Sequence, residues 1–110
     1  MRPILAALAF ALLATASAVA DPLATPTRAF MNTNCKQLTN ACTDVITKAL
    51  TTGRDNGKIP AKCFQNRPPL PPQALDIALW LISHRDLDSK PISEAAIVTA
   101  ERLWPCAKAT

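Results

Sequence analysis

Four cysteines, Cys35, Cys42, Cys63 and Cys106, and a single histidine, His84, are the side chains here most able to do chemistry. Four thiols can hold a metal, act as nucleophiles or close two disulfides. Structural zinc sites draw on closely spaced Cys or Cys/His pairs. Here Cys35 and Cys42 are seven apart, and neither a Cys-x-x-Cys nor a paired His occurs. No metal is therefore expected. Haem attachment needs Cys-x-x-Cys-His, which is absent, and no cofactor is assigned. A catalytic pair would need a nucleophile beside a base. His84 has Ser83, Asp86, Asp88 and Ser89 near it in sequence. It stands where an apolar helical run stops, a position at which a histidine caps carbonyls and favours the helix dipole. Ser83 and Ser89 read as helix-end residues. No catalytic residue is assigned, and the chain is not read as an enzyme.

Disulfides remain, and the start of the chain agrees with them. Arg2 precedes an apolar run over residues 4–13, and Ala18-Val19-Ala20 offers a small-x-small cleavage site before Asp21. These are the parts of a secretory signal peptide over residues 1–20. The run is short of the roughly 20 residues that span a bilayer, so no membrane association is expected after cleavage. An even cysteine count in a short exported chain implies a disulfide framework in an oxidising compartment. The remaining residues, 21–110, make one domain, small enough to need such staples. The formal charge of +4 falls when Arg2 leaves, and the other basic residues are scattered among acids. A nucleic-acid surface would cluster them, so no nucleic acid is expected.

The elements that must position these residues are helices. Residues 75–82 are apolar at nearly every position, including Leu75, Ile77, Leu79, Trp80, Leu81 and Ile82. A helix apolar all round is normally enclosed, so the rest of the chain is expected to wrap it, with Trp80 in the core. A polar break over 84–89 precedes a second helical pattern over 92–103, for which Ser89 and Pro91 supply an N-cap and a first turn, and Pro105 a stop. Upstream, Asn34 and Gln37 resemble a capping box. Leu38, Cys42, Val45, Ile46, Ala49 and Leu50 then recur at helical spacing, with Cys35 on the same face and Gly53 as a C-cap. Residues 21–27 read as a loose arm and 28–31 as one turn. Residues 66–72 hold four prolines and read as an extended, stiff connector. The expected fold is all-α: a small disulfide-stapled bundle of three main helices plus a short N-terminal segment.

If one helix carries both Cys35 and Cys42, their Cα atoms lie about 10.5 Å apart, beyond the roughly 7 Å a disulfide tolerates. Each would then bond a cysteine of the C-terminal half. Cys42 with Cys63 and Cys35 with Cys106 is the favoured pairing.

Cys63 before a proline-rich turn, Gln73 opening an apolar helix, Ala78-Leu79-Trp80-Leu81 within it, His84 near its end, and a last helix closing Leu103-Trp104-Pro105-Cys106 form a recognisable series. It resembles the Rap/Tai family of periplasmic immunity proteins over roughly the C-terminal half of the domain. Those proteins neutralise peptidoglycan amidases injected by type VI secretion systems. The resemblance implies a periplasmic helical bundle, often a homodimer, that inhibits a cell-wall amidase effector by binding it. An inhibitor of this kind must occlude a catalytic groove. The rigid polar break, His84, Arg85, Asp86, Leu87 and Asp88, is the candidate partner-binding element, with Leu87 as an exposed anchor rimmed by acids. Residues 66–72 are a second candidate surface. A small periplasmic acid-stress chaperone of the HdeA kind is the alternative comparison, although such proteins usually carry one disulfide.

Overall fold

The computed structural model describes residues 21–106. The signal sequence read at 1–20 lies outside the described residues. Among the described residues four α-helices follow one another: α1 Thr27–Asn34, α2 Asn40–Asp55, α3 Leu70–Ser83 and α4 Ile92–Leu103. Short 3-10 segments lie at Pro22–Ala24 and Ala61–Asn66. The all-α, disulfide-stapled architecture is as the sequence predicts, with α1 as the short N-terminal segment and α2, α3 and α4 packed mutually as the three main helices.

The core combines branched and small residues from all three main helices. Ile46, Ala49 and Leu50 meet Ala74, Ile77, Ala78 and Leu81 of α3 and Ala95, Ala96 and Ala100 of α4, all fully buried or nearly so. Alanines at these positions let helix axes approach closely. Phe30 brings α1 into the same core. Gly53 is part of this packing and not a C-cap, because α2 continues to Asp55. A Cβ there would stand 2.8 Å from Ile97 Cδ1 and 3.2 Å from Ile59 Cδ1. The chain turns instead at Gly57, whose φ of 83° suits glycine. It then folds back so that Ile59 N–H donates to the Gly53 carbonyl (3.0 Å).

The disulfides differ from the favoured pairing. Cys35 bonds Cys42 and Cys63 bonds Cys106. The error lies in the assumed continuous helix. Leu38 has φ 48°, a left-handed conformation that no α-helix interior contains. α1 ends at Asn34, and α2 starts at Asn40 with Thr39 as its N-cap residue. The five residues from Cys35 to Thr39 reverse the chain, and the Cys35 and Cys42 Cα atoms come within 4.6 Å. The Asn34/Gln37 capping box therefore does not exist. Asn34 instead donates from its side chain to the Ala41 carbonyl (3.4 Å). The same periodicity that placed Cys35 and Cys42 on one helical face arises from a turn that returns them to one side.

Three further expectations change. The arm before α1 is not loose. Thr27 and Arg28 donate their backbone N–H groups to the carbonyls of Lys90 (2.8 Å) and Asp88 (3.0 Å), and Ile92 N–H donates to the Thr25 carbonyl (2.8 Å). These bonds satisfy donors that open α1 and α4, which have no partner inside their own helices. Ser89 is accordingly not the cap of α4; Pro91 occupies that position without a side-chain bond. The proline-rich connector is only half extended, since Leu70, Pro71 and Pro72 already form the first turn of α3. Proline is tolerated there because its missing N–H has no helical acceptor anyway.

Finally, α3 is not enclosed. Leu75, Leu79 and Ile82 are 39%, 48% and 51% exposed. Spaced i, i+4, i+7, they form one stripe. Trp80 is only partly buried and lies at the edge of the core. With α2 and α4 on its inner side and α1 too short to cover the rest, no helix among the described residues reaches the outer face.

The two disulfides close loops of very different length, 7 and 43 residues apart in sequence. Loop-closure entropy then assigns about 2 kcal/mol to Cys35–Cys42 and about 4 kcal/mol to Cys63–Cys106. Urea unfolding of the two double Cys→Ala variants is expected to show the larger loss for the Cys63/Cys106 pair.

Candidate binding surface

The break between α3 and α4 is a hydrogen-bonded turn. Asp88 N–H donates to the Arg85 carbonyl (3.2 Å) and Lys90 N–H to the Leu87 carbonyl (3.0 Å). Arg85 Nε donates to Asp88 Oδ2 at 2.7 Å. Asp86 Oδ2 receives Arg102 Nη1 from α4 at 2.9 Å. With the bonds from Thr27 and Arg28, the turn is held from three directions.

The structure corrects the role of Leu87. It is 7% exposed and belongs to the core, so it anchors the turn inward and cannot anchor a partner. A lone leucine in a polar turn is a signal for this: burying it restrains a segment that otherwise has only polar contacts. His84, Arg85 and Asp86 remain exposed, while Asp88 is half-buried. They adjoin Ile82 and Leu79, so turn and stripe make one surface with an apolar band and a charged end. A cavity of about 180 Å³ between Ile82, Arg85 and Asp88 of this surface and Arg28 and Met31 of α1 lies beside it.

His84 ends α3, as its position in the sequence predicts. Its backbone N–H donates to the Trp80 carbonyl (3.0 Å), and its ring stacks on the Trp80 indole at 3.6 Å and 4°. The ring Nδ1 is 3.0 Å from the Trp80 carbonyl and 3.3 Å from Ser83 Oγ. A carbonyl accepts only from a protonated nitrogen, so in the tautomer that makes the Trp80 bond Nδ1 carries the proton and does not accept one from Ser83. Asp86, close to His84 in sequence, is engaged by Arg102. All four thiols are in disulfides. Among the described residues no group of three His, Cys, Asp or Glu side chains converges on a metal site.

Trp80, Trp104, Leu79 and His84 line a shallow cleft of about 410 Å³ on the flank of the stripe. Trp80 Nε1 is buried there without a partner. Sequence reasoning placed Trp80 in the interior because it could not see that α3 has an open side. The i, i+4, i+7 spacing of Leu75, Leu79 and Ile82 was the available sign.

Residues 66–72, the second candidate surface, are tied to the frame by two buried side chains. Gln73 is fully buried and donates from Nε2 to the Pro68 carbonyl (3.1 Å). Arg67 has a side chain only 2% exposed. It donates from Nε to the Trp104 carbonyl (3.1 Å) and from Nη2 to Glu101 Oε2 (3.0 Å). Glu101 Oε1 in turn accepts from Cys106 N–H (3.2 Å). Burial lowers the Arg67 pKa, and Glu101 offsets part of that effect. Sequence reasoning missed Arg67, since an arginine among prolines reads as solvated.

No helix of the described residues is long and apolar enough to cross a membrane. Two disulfides in so small a domain suit an oxidising, extracytoplasmic environment.

The hydrogen bond from Arg102 holds the Asp86 carboxyl below the ordinary carboxylate range. A depressed folded-state pKa means that this ion pair stabilises the turn above the unfolded value of about 3.9 and that its contribution is lost as pH falls below it. NMR titration of the Asp86 carboxyl is expected to give a midpoint below the ordinary aspartate value of about 3.9, and Arg102→Ala should return it toward that value.

Comparison with known proteins returns no matching family model, no matching curated protein and no matching solved structure.

Proposed function

We propose that this chain is a periplasmic immunity protein that binds and inhibits a type VI secretion peptidoglycan amidase. The reading rests on the residue series from Cys63 to Cys106 that resembles the Rap/Tai family. The observation that carries it structurally is a rigid exposed turn continuous with an apolar stripe. A turn braced by Asp86–Arg102, Arg85–Asp88 and the buried Leu87 loses little entropy on docking. Ile82 and Leu79 supply apolar contact, and Arg85 and Asp86 a polar rim, the arrangement typical of an interface. His84 lies between the two. Inhibition then follows from steric occlusion of the enzyme's groove and requires no chemistry from this chain.

The partner contact is testable with variants that spare Leu87. Ile82→Glu combined with Arg85→Glu is expected to weaken binding to the cognate amidase by roughly thirtyfold or more, which corresponds to about 2 kcal/mol for a hot-spot residue. Protection of cells carrying the amidase in their periplasm should be lost with it, while the far-ultraviolet dichroism and melting temperature stay close to the parent. Retained protection would move the interface to residues 66–72 or to another helix face.

The exposed stripe also favours the second partner implied by the resemblance, another copy of the chain. Leu79→Asp is expected to convert a dimer to a monomer in sedimentation measurements. A wild-type chain that sediments as a monomer assigns the stripe to the amidase alone.

A further inference from the structure

At the edge of the contact between α2 and α4, residues Lys58, Ile59 and Pro60 lie beside the α4 residues Ile97, Val98, Glu101 and Arg102. Between them lies a cavity of about 370 Å³, within the range that small ligands occupy. Its origin is Gly53. Without a Cβ at that position, Ile59 and Ile97 close over α2 and form an apolar floor with Val98 and Pro60. A second cavity of about 350 Å³ shares Lys58, Ile97 and Val98 with the first and runs on to Pro91 and Ser93. Together they make one groove along α4. The residues from Ser93 to Glu101 that flank it span about 12 Å of helix.

The charges along this groove are unequal. Lys58, Arg67 and Arg102 line the first cavity against one acid, Glu101, and the second cavity adds one more, Glu94, at its far end. Lys58 has no ion-pair partner among the described residues. Arg67 presents a desolvated guanidinium whose Nη1 makes no hydrogen bond, and its one acid, Glu101, has a side chain 52% exposed and so is partly screened. Positive charge set in low-dielectric walls attracts an anion more strongly than it would in water. An apolar floor with a cationic end suits a molecule that is hydrocarbon at one end and anionic at the other.

We propose that this groove binds a small amphipathic carboxylate. Its head sits between Lys58 and Arg102, within the field of Arg67, and its hydrocarbon chain lies over Ile59, Ile97 and Val98 toward Pro91. Arg102 also holds Asp86 of the turn. A carboxylate in the groove therefore shares one guanidinium with Asp86, and occupancy weakens one brace of the turn. The ligand site itself stands independently of the inhibitory role.

Octanoate, octanol and octylammonium, each titrated into the ¹⁵N-labelled, disulfide-bonded protein, test this. Octanoate is expected to give saturable shifts at the amides of Ile59, Ile97 and Val98, with octanol at least tenfold weaker and octylammonium inactive. The exposed Lys58→Glu change should weaken octanoate at least fivefold, and Val98→Trp, which fills the groove, should abolish it. Asp86→Asn, which removes the charge that shares Arg102, should tighten it. Equal affinity for octanoate and octanol, shifts unaffected by Lys58→Glu, or no saturable binding of octanoate would each overturn the proposal.

Discussion

The backbone exchange between residues 25–28 and 88–92 is the constraint on which the arrangement of this fold depends. Each side completes a helix start on the other: carbonyls of the α3–α4 turn accept from the first donors of α1, and the Thr25 carbonyl accepts from the first donor of α4. Thr27 adds its hydroxyl, which donates to the Lys90 carbonyl at 2.7 Å from a fully buried side chain. Buried donors left unmet at two helix starts would each cost about 1–3 kcal/mol. The chain avoids that cost only when arm and turn are docked, so the position of the turn relative to α1 is fixed by the need to pair backbone groups. Leu87 completes the fixation from beneath.

The opposite end of the bundle is organised around Arg67. A buried guanidinium requires several acceptors, and it finds the Trp104 carbonyl and the Glu101 carboxylate. Glu101 then reaches Cys106, whose disulfide returns to Cys63 in the 3-10 segment only four residues before Arg67. Phe64 lies under the guanidinium at 6.0 Å. The result is a closed ring of covalent and polar links joining the lead-in of α3 to the end of α4. One end of the molecule is thus held by backbone pairing and the other by a disulfide and a charge, with alanine-rich helix packing between them.

What the sequence made legible follows the physics of each signal. Helix number and order came from apolar periodicity and from proline placement, because both act locally. The end of α3 at His84 and of α4 before Pro105 were legible for the same reason. The break at Leu38 was not, because a leucine in the left-handed region obeys no local preference; it lies inside the Cys35–Cys42 loop and packs against the core. That single residue carried the disulfide pairing with it. Leu87 and the α3 stripe were misjudged in opposite directions. A leucine in a polar turn was read as exposed and leucines in an apolar helix as buried, whereas each depends on which neighbour happens to cover it. Only the described assembly of helices shows that α3 has a bare side and that the turn has a foot in the core.

The order of the disulfides has a consequence for how the chain matures. The first cysteine bonds the second and the third bonds the fourth. A polypeptide delivered N-terminus first into an oxidant presents its thiols in that same order, and the second and the fourth each find their native partner as the one thiol still unpaired. Oxidation as the thiols appear therefore leads to the native connectivity without a non-native bond to be exchanged. A chain of this connectivity, oxidised in that order, leaves an isomerase no bond to correct.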